Sequence, residues 1–339
     1  MLDENKKETS TKYAILSSGQ ESQGGIFMLK FHSKYITPIS KFEDFILTLY
    51  VIIDDLYQAY TPYCVRNRKN IQYAKLSDSE IITIGICGEL VGIESENAWF
   101  SFIKNNYQHL FPHLCSRSRF HRIRKSLLQV TELLREKLME KSNVLNDVYR
   151  IVDSFPLPVC KFGRARYCRS FRCDGANYGR CPSKKETYFG YKVHVLTTLD
   201  GFITSFEITP ASTDDRAALK DFAAVHRNLI FLGDKGYTGE ALRTELEEQG
   251  HRLFALKPSS YKNQLPKHFR RLIFRARRRI ETTFSQLSEW LHAEHVTAKS
   301  FRGLCTRLLY KVFAHNLCMF INDFFHNSLN LAKIKQLVF

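Results

Sequence analysis

The sequence has 339 residues, of which 44% are apolar, so it can bury a sizeable core and is typical of a folded protein of about two domains rather than a disordered chain. Lys and Arg number 50 against 34 Asp and Glu, which leaves a net charge of +16. This excess favours nucleic acid as the partner, because a polyanion that binds it releases counterions, although a generally basic soluble protein would have the same composition.

The start of the chain and its most apolar region argue against export and membrane insertion. Residues 1–25 are polar, without an apolar run after a basic start, and are predicted to form a flexible tail rather than a secretory signal. Residues 304–325 are interrupted by Arg307, Lys311 and His315, whereas a membrane span needs about 20 mainly apolar residues. Nine scattered cysteines then favour reduced thiols, and we expect a cytoplasmic protein without a transmembrane segment.

Residues 26–146 are predicted to be helical, because their apolar residues recur at intervals of three and four. Ser77-Asp78-Ser79-Glu80 forms a capping box at the start of one helix. A second helix is predicted from about Glu96 to Leu110, and a third from Ser116 or Ser118 to about Lys141. The N-terminal part of the chain is therefore predicted to be an all-α region.

The third helix begins with a basic cluster that contains no acid: Arg117, Arg119, Arg122, Arg124 and Lys125. A short helix, a turn and a longer helix with a basic start resemble a helix-turn-helix, whose second helix presents its first residues to the major groove. A helical bundle with a basic face would show the same pattern. We expect this region to bind DNA through Arg117, Arg119, Arg122 and Arg124.

From Asp147 onward short β-type runs alternate with helices, so residues 147–339 are predicted to form a second domain. Strands are predicted at Tyr149 to Ser154, Tyr188 to Leu199, Phe202 to Thr209, Leu229 to Gly233 and Arg252 to Leu256. Helices are predicted from Asp215 to about His226, from Thr238 to Gly250, from Arg271 to His292 and from Phe301 to Phe324. The second and third strands form a hairpin around Asp200-Gly201. This order resembles a ribonuclease H-like α/β domain, a mixed sheet flanked by helices, with an insert at about residues 156–187.

Three carboxylates stand at positions where such a domain could gather them. Asp153 and Asp234 each end a short apolar strand, and open α/β sheets generally bind ligands at these ends. Glu281 lies on a helix, beside an apolar stripe that should pack on the sheet: Ile280, Phe284, Leu287 and Leu291. Arg277 lies one turn before Glu281 on the same helix face. It could orient Glu281 or bind a phosphate, or the two could form an ordinary intrahelical ion pair.

Convergent carboxylates suit phosphodiester chemistry. That chemistry needs an activated water or hydroxyl and stabilisation of the extra charge on phosphate, which two Mg²⁺ ions about 4 Å apart can supply. Mg²⁺ prefers hard oxygen ligands and usually takes only one or two protein carboxylates. We therefore expect Asp153, Asp234 and Glu281 to be both the catalytic and the metal-binding residues.

The motifs around these acids resemble the three acidic motifs of DDE transposases from bacterial insertion sequences. They read Ile-Val-Asp153-Ser154, Leu-Gly-Asp234-Lys-Gly-Tyr237 and Arg-Arg-Arg-Ile-Glu281-Thr-Thr-Phe. Gly190-Tyr-Lys192-Val-His194 also resembles part of the hairpin before the second aspartate in that group. The resemblance covers about residues 150–321, and the N-terminal helices fit the family's DNA-binding region more loosely.

The resemblance implies a metal-dependent transposase. Asp153 would bridge two Mg²⁺ ions, for which Mn²⁺ is expected to substitute, while Asp234 and Glu281 complete one site each. Water would cleave double-stranded DNA at the element's ends, and the freed 3′-hydroxyl would attack target DNA. Because two ends must be brought together, a homodimer is expected on DNA. The chain departs from the family pattern around the last acid. Relatives often carry a Tyr-Arg-Glu-Lys signature there. The corresponding residues of this chain are Phe274, Arg277, Glu281 and Ser288, so only Arg277 and Glu281 match.

Two further groups of residues are expected to contact DNA. Lys192 and His194 alternate onto one side of a strand and could meet a phosphate near the metals, or form an exposed strand face. In the insert, Tyr167 and Phe171 stand among basic side chains, and this mixture of charge and aromatic stacking surface is typical of a DNA-binding loop. A loop that is simply exposed to solvent would have a similar sequence. The basic residues are Arg164, Arg166, Arg169 and Arg172.

Cysteines in the insert are compatible with two interpretations. Cys160, Cys168, Cys173 and Cys181 could bind Zn²⁺ as four thiolates. No pair, however, has the spacing of two to four intervening residues typical of a compact zinc site, so we favour free thiols.

Two alternatives to a transposase remain open from the sequence. One is a ribonuclease H-like nuclease that cuts without joining, and the other is a non-catalytic DNA-binding descendant of a transposase. The intact acids argue against the descendant. The N-terminal helical region argues for recognition of specific ends, and so against a general nuclease.

Overall fold

The computed structural model describes residue 39 and residues 41–182, 185–256 and 266–324. The predicted flexible tail, residues 1–25, lies outside the described residues. The chain divides into two compact units, Met1–Ile39 and Ser40–Phe339. The helices and strands given below all belong to the second unit.

Helices form the first part of this unit, as predicted: α1 (Phe42–Tyr60), α2 (Asp78–Val91), α3 (Glu96–Asn106), α4 (Arg117–Ser126) and α5 (Leu128–Lys141). The predicted capping box begins α2, because Ser77 Oγ accepts a hydrogen bond from the Glu80 amide while the Glu80 carboxylate accepts one from the Ser77 amide. The prediction of a single helix from residue 116 to residue 141 is wrong. The helix is broken into α4 and α5 at Leu127, whose ψ of 8° departs from helical backbone.

The described strands form one mixed sheet: β1 (Tyr149–Pro158), β2 (Asn177–Cys181), β3 (Glu186–Thr197), β4 (Ile203–Pro210), β5 (Ile230–Gly233) and β6 (Arg252–Ala255). The strands β1, β5 and β6 are parallel neighbours, whereas β3 runs antiparallel to β1. On the far side of β3, its first half pairs with β2 and its second half with β4. This topology confirms the predicted ribonuclease H-like arrangement.

Helices cover both faces of the sheet. The insert contains a short helix, α6 (Arg169–Cys173). On one face of the sheet, α7 (Asp215–Val225) and α8 (Glu240–Glu248) bury apolar side chains against β1, β3 and β5. On the other face, α9 (Lys267–Ser285) packs Ile273, Ala276 and Ile280 on Ile151 and Leu232. The predicted stripe is confirmed, since Ile280, Leu287 and Leu291 are buried and Phe284 is partly buried. The helix starts earlier than expected, at Lys267, and gives way to a π-helical turn over Gln286–Trp290.

One helix joins the N-terminal helices to the rest of the unit. The final helix α10 (Phe301–Phe324) contacts α2, α4 and α5 as well as β4. Its Arg307 and Lys311 pair with the buried Glu89 of α2 at 3.2 and 2.5 Å, and Arg124 of α4 joins them at 2.8 Å. The helical region and the sheet therefore share one core. No helix in the described ranges is long and apolar enough to cross a membrane.

Candidate active site on two parallel strands

Asp153 in the middle of β1 and Asp234 directly after β5 lie side by side. The prediction that the first strand ends on Asp153 is wrong, because β1 continues to Pro158 while it pairs with β3. The strands β1 and β5 are parallel, with Ile151 opposite Leu232. Two residues further on, each strand reaches its aspartate. Side chains two positions apart point to the same face of a strand, so Asp153 faces the side that α9 covers, and Asp234 lies close enough to raise its pKa.

Each aspartate has one carboxylate oxygen held by a backbone amide. Asp153 Oδ1 accepts a hydrogen bond from the amide of Ser154 at 2.8 Å, and Asp234 Oδ1 accepts one from the amide of Gly236 at 2.7 Å. Among the described residues, no donor reaches the second oxygen of either carboxylate. The pair therefore offers two fixed carboxylates with open oxygens.

The electrostatics of this pair favour an added positive charge. Burial raises the pKa of Asp153 to about 7, and the nearby carboxylate of Asp234 also raises it. The Ser154 amide and the Arg277 guanidinium act in the opposite direction but do not cancel these effects. Near neutral pH, Asp153 is therefore divided between its protonated and charged forms, and a bound cation would stabilise the charged form.

Glu281 lies on α9, directly after Ile280, whose side chain packs on this face of the sheet. Its side chain is 61% exposed, and the Arg277 Nη2 atom lies 3.9 Å from its Oε1 atom. In the described ranges, no group of three or more His, Cys, Asp or Glu side chains converges closely enough to hold a metal ion. The structure thus brings Asp153 and Asp234 together, while the participation of Glu281 stays a prediction.

Contacts with the hairpin turn position α9 and therefore Glu281. Arg279 Nε donates to the backbone oxygen of Asp200, and Thr283 Oγ1 donates to that of Gly201 at 3.4 Å. Gly201 has a φ of +100°, which L side chains rarely adopt. The predicted Asp200-Gly201 turn therefore also serves as a docking point for the helix that carries the third acid.

Residues 146–317, which include all three acids, match the family model described as transposase DDE domain. The chain belongs to this family. No curated protein matches its sequence. Among solved structures, the cryo-EM structure of a piggyBac transposase synaptic complex with hairpin DNA aligns with 88% of this chain and 80% of that chain, at 8% identity and a TM-score of 0.48. Members of the DDE family generally use divalent metal ions.

Asp215 is a residue of this DDE domain that the sequence interpretation missed. The helix α7 begins at Asp215 as predicted, and the side chain that caps it is that of Asp214, which accepts a hydrogen bond from the amide of Arg216. Asp215 instead accepts hydrogen bonds from Ser154 Oγ at 2.9 Å and from Lys192 Nζ at 3.1 Å. It therefore ties α7 to the residue that follows Asp153. The adjacent Asp214-Asp215 pair was the signal available in the sequence.

Lys192 and His194 share one side of β3, as the alternation predicted, but they differ in accessibility. Lys192 Nζ donates to the backbone oxygen of Thr213 as well as to Asp215, and its side chain is 18% exposed. His194 is fully buried, its Nε2 lies 2.8 Å from Thr209 Oγ1, and burial lowers its pKa to about 4. The expected phosphate contact of His194 is therefore wrong, because the imidazole is neutral and enclosed.

The arginines of the basic cluster on α4 also differ in accessibility. Arg117, Arg119 and Arg122 are exposed, so they remain candidates for DNA contacts. Arg124 is 4% exposed, pairs with Glu89 and lies over the Tyr310 ring at 4.5 Å from its centroid. Its predicted DNA contact is wrong, because this side chain points into the protein core.

In the insert, Arg164, Arg166, Arg169 and Arg172 are exposed. Phe171, expected to offer stacking surface, is instead buried at 5% exposure.

The nine cysteines, all of them within the described residues, form no disulfide. Cys160 and Cys168 interact through their thiols, and burial together with Cys168 raises the pKa of Cys160.

Proposed function

We propose that this protein is a transposase that cleaves DNA at the ends of an insertion sequence and joins the freed ends to target DNA. In the first step, water adds to a phosphorus atom and the bond from phosphorus to the 3′-oxygen breaks, which leaves a 3′-hydroxyl and a 5′-phosphate. In the second step, that 3′-hydroxyl adds to a target phosphate and displaces the target's 3′-oxygen. One phosphodiester bond forms and one breaks, so the joining step needs no external energy source.

The observation that carries this proposal is the level pair of Asp153 and Asp234 within the family-matched domain. Two fixed carboxylates with open oxygens are hard ligands of the kind that Mg²⁺ prefers. Asp153 and Asp234 would hold divalent cations, with Glu281 as a further ligand from α9. Such cations, when bound, activate the attacking oxygen and stabilise charge on the phosphate.

The chain's own residues act around this pair. Arg277 lies within electrostatic range of Asp153 and within 3.9 Å of Glu281, so it can orient the acid or bind a phosphate oxygen in bidentate fashion. The hydrogen bonds from Ser154 and Lys192 to Asp215 hold β1 and β3 in place behind Asp153. These contacts keep the acids ordered while DNA enters.

The proposed substrate is double-stranded DNA, bound by exposed arginines. Arg117, Arg119 and Arg122 on α4 would contact the element's ends, and the insert arginines lie beyond the end of β1. Two ends must be held together for joining, so we propose a homodimer as the DNA-bound form.

The test uses the full chain and a DNA duplex that carries the inverted repeats flanking its gene. Mg²⁺- or Mn²⁺-dependent cleavage at the repeat ends is expected to disappear in Asp153→Asn, Asp234→Asn and Glu281→Gln, while DNA binding survives. Glu140→Gln, which changes an exposed carboxylate on α5, is the matched control and should cleave normally.

Each variant has an outcome that would remove its residue from the site. Normal cleavage by Asp153→Asn or Asp234→Asn would overturn the proposed site, and normal cleavage by Glu281→Gln would exclude this residue as a ligand. Cleavage of repeat ends without any joined product would instead support a nuclease that does not transfer strands.

A further inference from the structure

We propose that the insert is a binding surface for unpaired DNA bases, which stack on its exposed aromatic rings. This inference rests on the proposed function, because it names the form of DNA that the site receives. It concerns residues 159–182, the described part of the insert that follows β1. The rings are those of Phe162, Tyr167 and Tyr178.

These three side chains are unusually accessible for their size. Phe162 is 55% exposed, Tyr167 is 69% exposed and Tyr178 is 47% exposed. All three come from a single stretch of 17 residues, Phe162 to Tyr178. Bases of any sequence have π faces, so a group of exposed rings binds unpaired bases without sequence readout.

The rings are held in place rather than free to collapse. The Tyr178 ring packs edge-on against the buried Phe189 ring at 5.1 Å between centroids, and Phe162 packs edge-on against Tyr178 at 5.9 Å. The Arg166 guanidinium lies 4.7 Å from the centroid of the Tyr167 ring. A preorganised ring loses little conformational freedom when a base stacks on it, which favours binding.

Charge on the same surface matches a nucleic-acid backbone. Residues 159–182 contain Lys161 and five arginines but only one acid, Asp174. The arginines at 164, 166, 169, 172 and 180 are exposed, and within the described part of the chain none of them pairs with an acid, while Arg172 donates to the backbone oxygen of Ala165. Unpaired cations beside exposed rings are the combination found in single-strand binding surfaces. A protein partner would not require this excess of positive charge.

The location links this surface to the candidate active site. The strand β1 continues from Asp153 for five residues to Pro158 before it enters this segment. At roughly 3.3 Å per residue, this places the end of β1, where the segment begins, about 16 Å beyond Asp153 along the strand. Unpaired bases next to a cleavage site at Asp153 and Asp234 can therefore reach the rings.

The experiment compares binding of the full chain to an oligo-dT strand of about 20 nucleotides and to a fully paired duplex of equal length, without metal. Tyr178→Leu and Tyr167→Leu are expected to weaken oligo-dT binding about tenfold each while duplex binding changes little. Tyr178→Phe and Tyr167→Phe keep the rings and should bind oligo-dT as the unchanged protein does. Tyr63→Leu and Tyr73→Leu alter tyrosines of similar exposure, 74% and 72%, outside the insert and serve as matched controls.

Two results would overturn the inference: oligo-dT binding that is unchanged in both insert leucine variants, or an equal loss of duplex binding. Thermal unfolding of each variant checks that the leucine proteins are folded. Because Tyr167 and Tyr178 are replaced separately, one unstable leucine protein leaves the other as the test, and the phenylalanine variants separate loss of the ring from loss of the hydroxyl. Failure of the proposed function gives a different pattern. In that case metal-dependent cleavage is absent from the unchanged protein, while the leucine variants still lose oligo-dT binding.

Discussion

Asp153 and Asp234 lie side by side because Ile151 pairs with Leu232 across two parallel strands, so the same two-residue step brings each strand to its aspartate. This relationship makes the pair an unfavourable concentration of negative charge, and burial adds to the cost for Asp153. A bound cation would relieve this repulsion, whereas without one the charged form of Asp153 is expected to lower the stability of the fold.

We expect Asp153→Asn to stabilise the metal-free protein at high pH. The pKa of Asp153 in the folded protein, about 7, lies above its ordinary value of 3.8, so the carboxyl destabilises the fold progressively as pH rises from about 4 to about 7. Because the group is only partly enclosed, we expect a gain of about 1–3 kcal/mol in the free energy of unfolding at pH 8. The gain should vanish near pH 4.

Urea unfolding in the presence of a chelator, at pH 4, 6 and 8, measures this effect. Asp174→Asn, which alters an exposed carboxylate of the insert, should show no comparable gain. A less stable Asp153→Asn protein at pH 8 would contradict the expectation.

Glu89→Gln should destabilise the protein strongly. Burial by itself would raise the pKa of Glu89, but Lys311, Arg307 and Arg124 together hold it well below its usual range. Its stabilising effect is therefore present above the ordinary value of 4.5 and is lost only in strong acid. Removal of the charge leaves three cations without their carboxylate, which should cost about 3–5 kcal/mol.

Denaturant unfolding of Glu89→Gln at pH 7 is the measurement. For comparison, Glu140→Gln removes one partner of an exposed ion pair with Lys137, and such pairs contribute at most about 1 kcal/mol. Similar losses for the two variants would show that the buried cluster does not hold α2, α4 and α10 together.

Gly201→Ala should lower both stability and cleavage. A Cβ atom there would lie 2.9 Å from Arg279 Nε and 3.1 Å from Thr283 Oγ1, on a backbone with φ of +100°. The turn must then shift away from α9, at a cost of about 1–3 kcal/mol, and Glu281 shifts with the helix. In Gly163→Ala the added atom has nothing within 4 Å, so this variant is the matched control. Unchanged cleavage by a folded Gly201→Ala protein would argue against positioning of α9 by the turn.

A triple alanine variant should bind DNA more weakly and with a smaller salt dependence. It replaces Arg117, Arg119 and Arg122 together. Each phosphate contact contributes about −0.9 to the slope of log affinity against log salt, so loss of three contacts should make the slope less steep by about 2.7. Fluorescence anisotropy over a salt series measures this slope. Arg216→Ala and Arg243→Ala, which change exposed arginines paired with acids, should leave it unchanged. An unaltered slope in the triple variant would exclude α4 as a DNA-contact surface.

Features that depend on neighbours in the chain were predictable from the sequence. The capping box at Ser77, the hairpin at Gly201 and the existence of the strands at Asp153 and before Asp234 all follow from local patterns, although β1 extends past Asp153 to Pro158. The apolar stripe on α9 likewise predicted which face of that helix is buried. Together these patterns were sufficient for the ribonuclease H-like order and for the positions of all three acids.

Tertiary structure alone decided which polar side chains are enclosed. Arg122 and Arg124 stand in one basic run, yet only Arg124 meets Glu89 and Tyr310, which come from distant parts of the chain. His194 and Lys192 alternate identically, but packing removes only the imidazole from solvent. The local pattern is the same in each case, whereas burial depends on elements that are remote in sequence.

The same distinction holds at the candidate site and in the insert. The spacing of Asp153, Asp234 and Glu281 could not show that two of them lie level while the third points toward Arg277, nor that Asp215 supports β1. These arrangements arise from strand register and from the packing of α7 and α9. The sequence by itself determined the order of the elements and the candidate acids, and only the assembled sheet decided which of these acids meet, because register and packing are properties of residues far apart in the chain.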